Sequence, residues 1–103
     1  MVKKSTKSTE TKTKQALFHL FAPEAQRISL AGDFNGWNIN GLPMKKDNEG
    51  NWTISVNLGP GRYEYRFYAD GTWQDDPKAQ EKVGNPFGSQ NCVRFITKST
   101  LAF

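Results

Sequence analysis

The chain has one cysteine and one histidine in 103 residues. A single thiol excludes an internal disulfide and any cysteine-based zinc site. A single imidazole excludes a multi-histidine metal centre. No apolar run approaches the ~18 residues that a membrane-spanning helix needs, so no membrane role is expected. The N-terminus lacks the apolar stretch of a secretory signal, and a cytoplasmic location is the expectation. Helical periodicity is missing too. The length allows one domain with a modest core and no second one.

The formal charge of +4 gives little ground for a nucleic-acid partner, because its distribution is lopsided. Residues 1–14 hold five lysines and one glutamate, which account for the whole excess. The remaining nine basic and nine acidic residues cancel. A Lys/Ser/Thr segment without aromatics reads as a solvated basic tail over 1–14. The folded domain is expected over 15–97, followed by a short tail over 98–103.

What is abundant is aromatic: 13% of the residues. Turn signals recur every 8 to 12 residues, the spacing of an all-β sandwich of about seven short antiparallel strands. Strands are expected over Ala16–Phe21, Arg27–Ala31, Pro43–Lys46, Asn51–Leu58, Arg62–Ala69, Thr72–Gln74 and Asn91–Thr97. Asp75–Gln90 reads as a long loop with a helical turn near Lys78–Lys82. In Asn51–Leu58, Trp52, Ile54, Val56 and Leu58 alternate with polar residues, so Trp52 belongs to the core. Phe34 reads as a plug at one end of the sandwich.

Register is most informative around Asp70-Gly71. This pair fits a two-residue hairpin turn, which requires positive φ at both positions. Tyr68 then faces Trp73 across the ladder. Tyr63, Tyr65, Phe67 and Ala69 share the core face, and Arg62, Glu64, Arg66 and Tyr68 the other. Trp73 must therefore point outward beside Tyr68 and Arg66. One reading is a cross-strand pair worth ~0.2–1 kcal/mol and nothing more. The other is a flat stacking platform with a polar rim. A pyranose suits such a platform, since its C–H face is apolar and its edge carries hydroxyls. Spacing alone leaves Trp37 undecided between core and surface.

Catalysis is not expected, and neither a cofactor nor a metal is. Asp70, Asp75 and Asp76 invite comparison with the paired carboxylates of glycosidases. Asp70, however, is a turn residue, and Asp75-Asp76-Pro77 opens a loop. His19 sits mid-strand without a nucleophile in its sequence context, and Cys92 reads as a small buried side chain.

Four segments together resemble one family: Ile28-Ser29-Leu30-Ala31-Gly32-Asp33-Phe34-Asn35-Gly36-Trp37, Tyr63 to Trp73, Asp76-Pro77, and Gly88-Ser89-Gln90-Asn91. Their order and spacing are similar to carbohydrate-binding module family 48. That family includes the glycogen-binding domain of the AMP-activated protein kinase beta subunit and the N-terminal domains of isoamylase and branching enzymes. The resemblance implies an immunoglobulin-like β-sandwich that binds α-1,4-linked glucan such as glycogen, maltooligosaccharide or cyclodextrin. It implies stacking by Trp37 and Trp73 and hydroxyl contacts from Arg66, Ser89 and Asn91. Phe87 would pack into the curl of the glucan, with Tyr68 at the edge of the site. Arg66 stands where the kinase subunit has Lys, which keeps the charge and changes the donor geometry. An alternative reading is an interaction module that docks a carbohydrate-active enzyme or kinase without touching sugar.

Overall fold

A computed structural model describes residues 13–97. Most of the expected basic tail (1–12) and all of the C-terminal one (98–103) lie outside the described residues. Eight strands and one 3₁₀ turn follow in order: β1 Lys14–Phe21, β2 Ile28–Gly32, the 3₁₀ turn Asp33–Asn35, β3 Lys45–Lys46, β4 Asn51–Leu58, β5 Gly61–Ala69, β6 Thr72–Gln74, β7 Glu81–Gly84 and β8 Gln90–Ile96. They form an immunoglobulin-like sandwich of two antiparallel sheets. One has the order β1-β4-β3, the other β2-β5-β8-β7, with β6 also paired to β5.

Alternation explains the layers. Ala16, Phe18 and Leu20 of β1 are buried, as are Trp52 and Leu58 of β4. From the facing sheet come Ile28 and Leu30, Tyr65, Phe67 and Ala69, and Cys92 and Ile96. Each fully buried large apolar side chain contributes ~1.5–3 kcal/mol relative to exposure. Phe18 and Tyr65 meet edge-to-face, their ring centroids 4.9 Å apart. Phe34 packs on this core from the 3₁₀ turn, 5.8 Å from Phe18 and 6.1 Å from Tyr63, the plug that its position implied.

Two expectations are corrected. The first strand begins at Lys14, two residues early, because Lys14 to Phe21 pairs along its whole length with β4. More consequentially, 78–82 holds no helical turn. Glu81–Gly84 is a strand whose residues pair with Gln90–Val93. Its single apolar residue, Val83, gives no alternation to read, so only the pairing with β8 reveals it.

Asp70 and Gly71 adopt φ of 50° and 85°, the two positive values expected of the tight hairpin. The Asp70 carboxylate also accepts hydrogen bonds from the backbone N–H groups of Gln26 and Arg27, at 2.8–3.1 Å. It therefore ties the hairpin tip to the entry of β2. Gly32 is required by close approach: a Cβ there would lie 2.5 Å from the Glu64 carbonyl oxygen and 2.8 Å from the Phe34 ring.

Strand β5 organises the larger sheet around one opening. One of its edges pairs throughout Tyr65–Ala69 with β2. Its other edge changes partner along its length: Gly61–Tyr65 pair with β8, and Phe67–Ala69 with β6. Arg66 stands at that fork, where β6 and β8 diverge and the sheet face opens.

Candidate functional site

At the fork lies a groove of about 370 Å³ walled by Trp37, Arg66, Trp73, Asn85, Pro86, Phe87, Ser89 and Asn91. Ligand clefts of small molecules begin at about this size. The groove brings together six of the seven residues singled out in the sequence. The seventh, Tyr68, sits beside Trp73 and lines a neighbouring hollow with Arg27, Ser29, Ile39, Asn40, Asp70 and Gly71.

Trp73 arrives on β6, directly opposite Tyr68 as parity required, and is 38% exposed. Its ring centroid lies 4.9 Å from that of Tyr68 and 6.1 Å from that of Trp37. The planes are inclined by 64° and 68°, so the aromatic cluster is an angular cradle rather than the flat platform expected. Edge-to-face contact satisfies the ring quadrupoles better than coplanar stacking, which accounts for the tilt.

Trp37 is placed by the turn after β2. The Asn35 side chain accepts from the Gly32 N–H (3.0 Å) and donates to the Asn38 carbonyl (3.1 Å). Gly36 and Trp37 both take left-handed backbone, at φ 64° and 59°. That conformation is uncommon for a bulky residue and persists only where its surroundings over-determine it. Asp33 supplies part of that constraint. One carboxylate oxygen accepts from the Glu64 N–H at 2.8 Å and the other from the Trp37 indole N–H at 3.3 Å. A carboxylate anchored to β5 thus orients the indole.

Behind the indoles, the Arg66 guanidinium carbon lies 5.7 Å from the Trp73 ring centroid, within cation–π range. Its Nε and Nη2 contact one Asp75 oxygen at 3.1 and 3.0 Å, and Nη1 donates to Ser89 Oγ at 3.3 Å. Lys82 approaches Asp75 at 3.9 Å, so this carboxylate is flanked by two cations. Five N–H donors exceed what Asp75 and Ser89 take up, and the side chain, though only 13% exposed, still lines the groove.

Asn85, which was not among the residues singled out in the sequence, organises the far wall. Its side-chain oxygen accepts from the backbone N–H groups of Phe87 (2.9 Å) and Ser89 (3.2 Å). Its amide donates to Ser89 Oγ (3.1 Å) and to the Asn91 side-chain oxygen (3.0 Å). The tight turn that results lifts the Phe87 ring into solvent, 89% exposed. The signal was present, since Asn-Pro marks a turn in which the Asn side chain bonds the following backbone. The Asn91 amide donates onward to Glu64 at 2.9 Å. This bond, followed by Arg62 on the other oxygen, holds the Glu64 carboxyl below the usual carboxylate range.

The groove therefore offers tilted aromatic faces, an apolar ring on a turn, and a rim of amides, a hydroxyl and a guanidinium. The chemistry of such a surface suits a neutral ligand with apolar faces and hydroxylated edges. The acids considered for catalysis have other partners. Asp76 is buried, accepting from the Tyr65 hydroxyl at 2.6 Å and the Lys78 N–H at 2.8 Å. Burial and that carboxylate push the Tyr65 hydroxyl far above its ordinary value. His19 Nε2 lies 2.8 Å from the Asn51 side-chain oxygen. Cys92 is fully buried.

Residues 5–83 match the family described as carbohydrate-binding module 48 (isoamylase N-terminal domain). The match contains Trp37, Arg66, Tyr68 and Trp73 and ends before Phe87, Ser89 and Asn91. The chain is 32% identical over 63 residues to protein FLOURY ENDOSPERM 6, chloroplastic, of Oryza sativa subsp. japonica, across 61% of this chain and 12% of that protein. It is 41% identical over 64 residues to 1,4-alpha-glucan-branching enzyme 1, chloroplastic/amyloplastic, of Pisum sativum, across 53% of this chain and 8% of the enzyme. It is 30% identical over 74 residues to 5'-AMP-activated protein kinase subunit beta-1 of Bos taurus, across 72% of this chain and 26% of the subunit. The chain thus spans a small part of the length of each of these relatives.

Proposed function

The chain belongs to the carbohydrate-binding module 48 family, and we propose that it binds α-1,4-linked glucan without catalysing its conversion, by stacking on Trp37 and Trp73. The observation that carries this reading is the indole pair itself, 6.1 Å apart and inclined by 68° at the mouth of one groove. Successive glucose units in an α-1,4 chain turn their faces relative to each other as the chain curls. A tilted pair of rings suits that curl, whereas a flat β-linked ribbon would meet only one ring at a time. Arg66, Ser89 and Asn91 address the hydroxyls, and Phe87 enters the concave side. Affinity per site is modest, because each sugar hydroxyl exchanges water for a protein hydrogen bond of similar quality.

Tryptophan fluorescence, followed during titration with maltoheptaose, β-cyclodextrin and cellohexaose, tests the proposal. The two α-linked ligands should give saturable changes and the β-linked one none. Equal response to all three would remove the argument from tilt, and no response to any would remove the sugar.

A second role is compatible with the first. Leu17 and Phe21, 56% and 60% exposed, lie on the outer face of β1 at the edge of the smaller sheet. Some relatives are named as branching enzymes or as a kinase subunit. We propose that this face docks the module onto a carbohydrate-active enzyme or kinase. Co-purification with such a partner, lost in Leu17→Ser/Phe21→Ser, is the expected result.

A further inference from the structure

Outward-facing residues of the larger sheet continue well past the groove. Asn91 and Phe95 share parity on β8, so both lie on the face that carries Arg66 and Glu64. Four residues of strand separate them by about 13 Å. Phe95 is 43% exposed, and its register partner on β5 is Arg62, whose side chain is 45% exposed. The far end of the face therefore repeats the pairing found at the groove, an uncovered aromatic beside an arginine across the ladder.

The ground between is polar and continuous. Asn85 donates to Asn91 at 3.0 Å, Asn91 to Glu64 at 2.9 Å, and Arg62 to the other Glu64 oxygen at 2.9 Å. Hydrogen-bonding side chains thus run in unbroken sequence from the groove wall to Arg62, next to Phe95. Val93, between Glu64 and Glu81 in register, is fully buried and leaves no gap in this surface.

We infer that Phe95 and Arg62 form a second stacking contact for the same glucan chain, engaged only by ligands long enough to leave the groove and cross the Asn91–Glu64 ladder. This rests on the glucan-binding reading and adds a dependence on chain length. From Tyr68 to Arg62, β5 spans about 20 Å. A trisaccharide fills the groove alone, whereas a longer linear chain reaches the far aromatic.

Isothermal titration with maltotriose and with a linear maltodextrin of about twelve units separates the possibilities. In the wild-type chain the longer ligand should bind more tightly per chain. Phe95→Ala should lower that affinity about three- to tenfold, the worth of one aromatic contact, and leave maltotriose unchanged. Phe95→Trp should restore it. Ring signals of Phe95 in NMR spectra should move with the long ligand only. If maltotriose binds but the long-chain affinity ignores Phe95, the second contact falls and the groove stands. If neither ligand binds the wild-type chain, both fall together.

Discussion

Two hollows of similar size, on different parts of the sandwich, differ in what their side chains are already doing. The groove at the β6–β8 fork is about 370 Å³, and a crevice lined by Leu17, His19, Tyr65, Asp76, Lys78, Gln80 and Arg94 is about 270 Å³. In the crevice, polar atoms are committed to the fold. Arg94 donates to the Leu17 carbonyl at 3.0 Å and lies 4.8 Å over the Phe18 ring, closing one sheet onto the other. The Asp76 carboxylate holds the Tyr65 hydroxyl and the Lys78 N–H. In the groove, hydrogen bonds orient side chains while aromatic faces stay uncovered. Cavity volume alone would not separate the two, but uncovered rings with a mostly neutral polar rim do.

The sharpest way to break this contrast is Trp73→Ala. Trp73 touches Trp37, Tyr68 and Arg66 at once. Its loss should cost at least ~2 kcal/mol of binding, about thirtyfold, as for aromatic anchors that a ligand covers. Circular dichroism should be unchanged, because the ring lies outside the core. Retention on immobilised glycogen reads the result, and retention at the wild-type level would dismiss this groove.

The mirror-image experiment is Tyr65→Phe. It removes one hydroxyl and leaves the buried Asp76 carboxylate short of its 2.6 Å donor. Hydrogen bonds to charged groups are worth ~1.5–3 kcal/mol, so the urea midpoint should fall by the equivalent. Affinity for maltoheptaose should stay as it was. A variant that unfolds no more easily yet binds sugar poorly would reverse the roles assigned to the two hollows.

How much of this contrast is legible in the sequence depends on the range of the interactions. Tyr68 opposite Trp73 is legible because an Asp-Gly turn fixes register locally and period-two alternation does the rest. Trp52 is legible as core for the same reason, and its indole N–H indeed finds the Ala22 carbonyl at 2.9 Å. The family resemblance brings Trp37, Phe87, Ser89 and Asn91 into view, but not their mutual geometry. The tilt of the indoles depends on Asp33 bridging to β5, a contact over 31 residues. Strand β7 is invisible because Glu-Lys-Val-Gly has no pattern of its own. Asn85 is easily missed because its side chain works inside a turn, behind the aromatic that the turn displays. Nonlocal pairing and side-chain-to-backbone bonding are what periodicity does not encode.

The smallest expected effect probes the seam between groove and sheet. Asn91 is held by Asn85 on one side and by Glu64 on the other. The Asn91 hydrogen bond, then Arg62, favours the ionised Glu64 carboxylate and lowers its folded pKa. A depressed pKa means that the stabilisation is fully present above the unfolded value of about 4.3 and is lost as pH falls through the folded one. Affinity for maltoheptaose should therefore be level from about pH 8 to pH 5. It should decline only in more acidic solution, by a few-fold at most, as protonation weakens the Glu64 hold on the Asn91 amide. Glu64→Gln keeps an acceptor for Asn91 without a titrating group and should flatten that decline. A decline already under way between about pH 8 and pH 5 would instead couple the groove to a group outside this run of hydrogen bonds. The division of labour between the two hollows would then fail, since the groove's rim would answer to a group that its own hydrogen bonds do not reach.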